Sequence, residues 1–416
     1  MATSFPLVRV FIPFAFGYFL SYLYRVVNAV IAPDLVSELG LGPSDLGLLT
    51  SAYFLTFAAF QLPLGMLLDR YGPRKTEASL LIFAAMGAFL FSIATTTNGL
   101  ILGRALIGFG VSSCLMAAFK AYSIWVSRER LPLINGFQMG AGGLGALSGT
   151  IPVEAALQFT DWRGVFQVLA AITIIAALAI FFVVPKRDEG DAHTTPESFK
   201  DLMGGVISVF TSPVFWCIAP LCVASQAAFL SIQTLWVGPW LRDVGGLPRE
   251  QVADSLFMIA AAMVAGFISQ GVIADRLRRF GVRPTTLAII GMTIFIIVQF
   301  LITFELVDTY LPIWMAFGFF ATTGILPYAA LSQKFPLRLA GRVNTGLNLL
   351  VFVSAFAAQW ATGVIIGLWD KTAEGNYAPE GYQAAFGVIL GLQVLGLLWL
   401  AVYGKGRRAY NHPEEH

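Results

Sequence analysis

Three basic side chains lie within long apolar runs of the sequence: Arg25, Arg104 and Lys120. Arg25 is the strongest candidate for binding, because an arginine deep in a membrane-spanning helix costs at least about 2.5–3.5 kcal/mol unless it is paired or faces water. On an ideal helix, Tyr22 and Asn28 share its polar sector. A guanidinium fork beside phenol and amide groups suits a carboxylate. The alternative is a structural arginine that backbone carbonyls or another helix satisfy.

Lys120 and Arg104 lie in one predicted helix, over residues 99–125. Lys120 is predicted to contact substrate, with snorkelling to the membrane interface as an equal alternative. Arg104 precedes it by 16 residues, which at about 100° per residue places it on nearly the opposite side. The two side chains therefore cannot line one cavity unless the Gly108 and Gly110 region distorts the helix. Arg104 is nearer the outer end, and we expect a coupling or gating role for it.

Glu154 is an acidic residue within an apolar stretch, where it follows Pro152 and a glycine-rich run. Glycines in such a run allow helices to approach closely. We predict that Glu154 carries a coupling proton. The alternative is a charge near the outer interface that pairs with Arg104 or with a loop.

The C-terminal part of the chain supplies neutral polar and aromatic groups. Four of them are predicted to contact the neutral body of a substrate: Gln233, Trp236, Asn344 and Asn348. Hydrogen bonds that hold helices together are the alternative.

Several classes of site are excluded by what the sequence lacks. The three histidines, His193, His412 and His416, all fall outside apolar runs, which disfavours a histidine relay, a metal site and metal transport. There is no G-x4-G-K-[ST] phosphate loop. We therefore expect no enzyme activity, no cofactor and no direct use of ATP.

The composition explains why embedded charges are informative here. Of 416 residues, 57% are hydrophobic and 12% are charged, whereas soluble proteins average about 25% charged. The formal net charge of +2 provides no field for nucleic acid. These values predict an all-α integral membrane protein in contact with the lipid bilayer.

Apolar windows of about 19 residues predict twelve transmembrane helices, over residues 8–32, 45–68, 76–97, 99–125, 132–158, 163–184, 213–240, 250–273, 284–305, 310–333, 341–368 and 382–403. One long polar stretch interrupts them. The predicted organisation is therefore an N-terminal six-helix bundle (1–184), a cytoplasmic linker (185–212) and a C-terminal six-helix bundle with a short tail (213–416).

The distribution of Lys and Arg predicts the orientation. With both termini in the cytoplasm, cytoplasmic segments hold 19 of the 26 basic residues and outer segments hold four. Basic residues are retained on the cytoplasmic side. The sequence thus predicts cytoplasmic N- and C-termini.

A shift of 206 residues aligns the two predicted bundles. It places Gly65-x3-Asp69-Arg70 on Gly271-x3-Asp275-Arg276, and it also places Pro33 on Pro239. Two six-helix pseudo-repeats are typical of transporters that alternate access to a midplane site.

The segment Gly65-x3-Asp69-Arg70-x-Gly72-Pro73-Arg74-Lys75, predicted as a loop, resembles the signature of the Major Facilitator Superfamily. Arg104-x3-Gly108-x-Gly110 is similar to a second motif of that superfamily. The resemblance implies its fold and gradient-driven transport. Charge pairs in such a loop can hold one face closed, so we assign gating to Asp69, Arg70, Arg74, Asp275 and Arg276. The alternative is that these charges only set topology.

The first predicted helix resembles that of organic anion transporters in the anion:cation symporter branch, through Ser21-Tyr22-Leu23-Tyr24-Arg25 and Ala32-Pro33-Asp34. An acidic residue often precedes the arginine there, whereas this chain has Tyr24, which leaves the coupling mechanism open.

The expected function is uptake of a small organic anion, coupled to protons, by a monomer in the bacterial inner membrane. One alternative is efflux of amphipathic compounds or siderophores. Another is a membrane receptor or sensor that does not transport.

Overall fold

The computed structural model describes residues 5–127, 130–186, 199–282, 284–373 and 375–406. The described part of the chain is helical and contains no strand, which confirms the all-α prediction. The helices are α1 (Phe5–Leu39), α2 (Pro43–Ile93), α3 (Thr97–Val111), α4 (Cys114–Trp125), α5 (Leu131–Ser148), α6 (Ile151–Ala156), α7 (Trp162–Val183), α8 (Phe199–Phe210), α9 (Pro213–Ser231), α10 (Val237–Asp243), α11 (Arg249–Arg279), α12 (Pro284–Thr303), α13 (Tyr310–Ala321), α14 (Leu326–Ser332), α15 (Leu337–Ile366) and α16 (Pro379–Gly406).

Ten helical segments among the described residues are long and apolar enough to cross a membrane. One of them, α2, covers both the second and the third predicted windows, and the fifth window is divided between α5 and α6. Every predicted window therefore has a helical counterpart. Residues 187–198 of the predicted linker lie outside the described part of the chain.

The segment Gly65–Lys75 is helical on both sides of Gly72, so the predicted loop between the second and third windows is a kink at one residue. Helix α2 runs through it and deviates only at Gly72, where φ is 73° and ψ is 163°. A side chain disfavours this positive φ, which glycine adopts at little cost. Pro73 then restarts the helix with a fixed φ that suits a first helical position. The motif thus forms a sharp bend between two membrane-crossing stretches.

Two other predicted transmembrane helices are interrupted near their middle. The helix with Arg104 and Lys120 breaks at Ser112–Ser113, between α3 and α4, and a π-helical turn over Ile232–Trp236 separates α9 from α10. The break in the first of these lies just beyond the Gly108 and Gly110 region. Such interruptions in membrane helices are tolerated where neighbouring helices satisfy the backbone.

Helices α1–α7, here called the N-terminal half, pack against α9–α16, the C-terminal half. Three glycines lie at contacts between the halves, each against one residue of the other half: Gly143 on Val264, Gly238 on Ala29 and Gly363 on Pro43. Small residues allow this close approach. We call the end of the bundle where α11 begins the Arg249 end, and the opposite end, at the bend of α2, the Asp69 end.

Gly108 provides a test of this close packing. An added Cβ there would collide with the backbone of Tyr53, whereas a Cβ at Gly140 meets no atom within 4 Å. Overpacking of this kind typically costs about 1–3 kcal/mol. We expect Gly108→Ala to lower the melting temperature of the purified protein and Gly140→Ala to leave it unchanged. Equal melting temperatures for the two variants would contradict the packing described here.

Candidate functional site

Arg25 lies near the middle of α1, and 7% of its surface is exposed. Its guanidinium carbon lies close to four aromatic ring centroids: Tyr22 at 4.5 Å, Phe352 at 5.4 Å, Phe57 at 5.5 Å and Tyr53 at 5.9 Å. Ring faces attract a cation electrostatically. We call these four rings the aromatic cage.

The aromatic cage joins the two halves of the molecule. Phe352 belongs to α15, and its ring centroid lies 4.3 Å from that of Phe57 on α2. Phe54 of α2 also contacts Phe352, at 5.8 Å. Sequence reasoning did not identify Tyr53, Phe57 or Phe352 as site residues, since a phenylalanine in an apolar run carries no signal that separates a site ring from a lipid-facing one.

The charge of Arg25 is not balanced by an acidic partner among the residues that the structure describes. None of the ion pairs there includes Arg25, and its buried Nε has no hydrogen-bond acceptor. The Tyr53 hydroxyl faces the guanidinium as a side-chain hydrogen-bond partner, and the Nε–H donor remains available to an anion. The arrangement can therefore bind a carboxylate or a similar group.

Asn28 and Arg104 lie in the same region of the N-terminal half. Asn28 is buried and donates through Nδ2 to Thr50 Oγ1 at 3.0 Å, while its Oδ1 accepts no hydrogen bond. The buried Arg104 donates to the Tyr24 carbonyl at 2.8 Å and lies 5.2 Å from the Tyr53 ring. Tyr53 thus contacts both arginines, and Arg104 supports the backbone beside Arg25.

The four predicted residues of the C-terminal half have separate surroundings. Gln233 donates to Met263 Sδ at 3.5 Å, and Trp236 donates through Nε1 to the Gln359 carbonyl at 3.0 Å. The Oδ1 atom of Asn344 is buried without a donor. For Gln233 and Trp236, these contacts fit the alternative of hydrogen bonds that hold helices together.

Asn348 forms a side-chain hydrogen bond with the other half. It donates to Gln61 Oε1 at 3.4 Å and accepts from the Tyr328 hydroxyl at 3.3 Å. Since Gln61 and Phe57 lie one turn apart on α2, this polar contact continues the interface that the aromatic cage forms.

Lys120 pairs with Asp69 instead of joining Arg25. Its Nζ lies 2.8 Å from Asp69 Oδ1, and the two side chains are 42% and 51% exposed. The structure therefore places the predicted substrate residue Lys120 at the Asp69 end, within the N-terminal half.

The other predicted gating residues lie near the same end. Arg70 lies 5.3 Å from the Tyr71 ring and Arg74 lies 4.8 Å from the Phe181 ring. Arg276 is exposed, and the side chain of Asp275 lies outside the described part of the structure.

Glu154 forms an ion pair with Arg249. It was expected to pair with Arg104 or to face a central cavity, and it does neither. Arg249 Nε lies 2.7 Å from Glu154 Oε1, and both terminal nitrogens bind the carboxylate of Asp34 at 2.8 Å. Asp34 lies in the last two turns of α1 and Glu154 lies on α6, whereas Arg249 begins α11. We call these three residues the Arg249 cluster. It connects the two halves, and sequence reasoning missed the role of Asp34 and Arg249 because their separation along the chain gives no local pattern.

The chain is similar to transporters of known type. Residues 14–359 match the family model of the Major Facilitator Superfamily. The "Probable sulfoacetate transporter SauU" of Cupriavidus necator is 22% identical over 356 residues, which are 81% of this chain and 83% of that protein. The "Efflux pump aunC" of Aspergillus niger is 26% identical over 404 residues, which are 94% of this chain and 66% of the pump.

Solved structures show the same fold. A bacterial homologue of the human lysosomal transporter Spinster, in an inward-facing and occupied conformation, superposes with a TM-score of 0.77 at 16% identity and covers 98% of both chains. The nucleoside transporter NupG superposes with a TM-score of 0.73 at 12% identity and covers 95% of this chain and 99% of NupG. Together with the match over residues 14–359, these findings confirm the predicted fold, and the chain belongs to the Major Facilitator Superfamily.

Proposed function

We propose that this secondary transporter binds a small organic anion at Arg25 and moves it across the membrane by alternating access. The observation that carries the proposal is the buried guanidinium of Arg25, which has aromatic neighbours and no acidic partner among the described residues. An anion would supply the missing charge. Such a pair is strong where water is excluded, since the local dielectric is low.

The aromatic cage supports a link between binding and transport. Phe352 is the contribution of the C-terminal half, and it lies against both Arg25 and Phe57. An anion that binds Arg25 changes the contacts at this junction, so it favours one arrangement of the halves over the other. Differential affinity of this kind is what allows a ligand to shift a conformational equilibrium.

Relatives support an anion as one of two substrate classes. The resemblance to a protein named as a sulfoacetate transporter favours a small carboxylate or sulfonate. The resemblance to an efflux pump favours export of an amphipathic compound. We prefer the anion because the charged group buried at the junction between the halves is a cation.

We propose that the Arg249 cluster closes the outer face. The excess of basic residues near the Asp69 end supports an orientation with that end and both termini in the cytoplasm. The structure then corresponds to a state closed to the outside. From the resemblance to this superfamily, we further propose a monomer in the bacterial inner membrane that couples anion uptake to protons.

The binding proposal predicts a selective effect of Arg25→Ala. We expect sulfoacetate or benzoate to raise the melting temperature of the wild-type protein by mass action. Loss of one partner of a buried charge pair costs about 2–5 kcal/mol, so Arg25→Ala should weaken this binding at least about 30-fold. Lys120→Ala is the matched control, because it removes a cation that already pairs with Asp69, and it should bind like the wild type.

Two outcomes of that assay would contradict the proposal. One is equal stabilisation of the wild type and Arg25→Ala by the same anion. The other is stabilisation by tetraphenylphosphonium alone, which would support efflux of amphipathic cations.

The proposed outer closure predicts a change in access to Leu256. This side chain is 5% exposed and lines a cavity of about 80 Å³ behind the pair of Arg249 and Glu154. The test labels a Leu256→Cys protein with a membrane-impermeant maleimide added outside. Arg249→Ala should increase the labelling rate of the new thiol severalfold. Labelling of the protein without that cysteine is subtracted as background.

Arg163→Ala is the matched control for the labelling experiment, since it breaks an ion pair with Glu38 inside the N-terminal half. It should leave the labelling rate unchanged. An unchanged rate in Arg249→Ala, or an equal increase in Arg163→Ala, would show that the cluster does not close this end.

A further inference from the structure

The N-terminal half also contains a buried glutamate. Glu77 follows the bend of α2, and none of its surface is exposed. Both of its carboxyl oxygens are buried, and the Cys114 thiol is placed against them as a weak donor; the described part of the chain gives them no other hydrogen bond. Among the described residues, no lysine or arginine forms an ion pair with it.

Three helices pack against the carboxyl group. From α1, Gly17 is so close that an added Cβ would collide with Glu77 Oε1, and the side chain of Ile180 from α7 lies near the same position of Gly17. From α4 come two titratable neighbours, the Cys114 thiol and the Tyr122 phenol. The surroundings are therefore apolar or weakly polar.

A negative charge on Glu77 would be balanced neither by the Tyr122 hydroxyl nor by the Arg74 guanidinium. The Tyr122 hydroxyl donates to Gln138 Oε1 at 2.7 Å, so its proton serves another acceptor. Arg74, which precedes Glu77 on α2, lies 4.8 Å from the Phe181 ring. A carboxylate buried among such groups is unstable, and the neutral acid is the form that this packing accommodates.

Ionisation of Glu77 therefore requires a change in packing. Water or a cation must reach the carboxylate, and α1 lies directly against it at Gly17. Gly17 and Arg25 lie about two turns apart on α1. A displacement of α1 at Gly17 thus changes the position of the residue that we assign to anion binding.

We propose that Glu77 is the proton-binding site of this transporter, and that its protonation favours the packing of α1 seen here. The O–H bond of the carboxyl breaks when the packing opens, and the proton passes to water. The inference rests on the proposed anion site at Arg25 for its coupling step. It replaces the expectation that Glu154 carries the proton, because Glu154 has Arg249 as a charge partner.

The first experiment needs no substrate. Infrared spectra of the purified protein at neutral pH should contain the carbonyl stretch of a protonated, buried carboxyl group. The band should be missing in Glu77→Gln and present in Glu38→Gln, which removes an ion-paired carboxylate at the protein surface. A band that is absent from the wild type, or present in Glu77→Gln, would overturn the proposal.

The second experiment measures coupling in proteoliposomes, with sulfoacetate as the probe. The quantity is the ratio of uptake with an inward proton gradient to uptake without one, which does not depend on the amount of folded protein. We expect a ratio well above one for the wild type and Glu38→Gln, about one for Glu77→Gln, and recovery at a shifted pH for Glu77→Asp.

The outcomes separate this inference from the anion proposal. A gradient effect that persists in Glu77→Gln, or that disappears only in Glu154→Gln, overturns the role of Glu77 and leaves Arg25 untouched. Wild-type uptake that depends on Arg25 but is equal with and without the proton gradient also overturns the role of Glu77 and leaves the anion proposal intact. If sulfoacetate is not transported at all, the anion proposal fails for this probe, and the infrared spectra still decide whether Glu77 holds a proton.

Discussion

The guanidinium of Arg25 is held away from water, and this burial constrains the rest of the structure. No carboxylate among the described residues pairs with it. Aromatic faces reduce the cost of burying Arg25, and its buried Nε–H donor has no acceptor in the described part of the chain. Since one of those rings, Phe352, comes from the C-terminal half, the unbalanced charge lies where the two halves meet. Binding energy gained at such a junction acts directly on the equilibrium between conformations.

Helix α1 connects the three polar features of the molecule. It carries Asp34 in the Arg249 cluster, Arg25 in the aromatic cage and Gly17 against Glu77. Gly17 and Arg25 lie on one stretch of this helix, between Pro13 and Pro33, so a displacement at Gly17 reaches Arg25 without a relay of side chains through the bundle. The proposed closure of one end, the proposed anion site and the proposed proton site therefore share one helix, which fits alternating access about a midplane site.

Much of the fold was predictable from sequence, because apolar length and the repeated Gly-x3-Asp-Arg segment are local signals. Arg25 was also predictable, since a cation within an apolar run is costly. Phe352 was not, because it is one of 35 phenylalanines and only the packing of α15 on α2 brings it to the site. Glu77 was missed because it follows Lys75 and so resembles a loop charge, whereas the bend at Gly72 directs the chain back into the bundle. Sequence spacing could not reveal the partner of Glu154 either, since pairing depends on tertiary contacts.

The most direct test of the central claim is the position of a bound anion. A structure of the protein with para-bromobenzoate, in which anomalous scattering locates the bromine, should show the carboxylate on the guanidinium of Arg25 and the ring beside Phe352. The same signal should be lost in Arg25→Ala crystals. A bromine position outside the aromatic cage, or one that persists without the Arg25 side chain, would contradict the account.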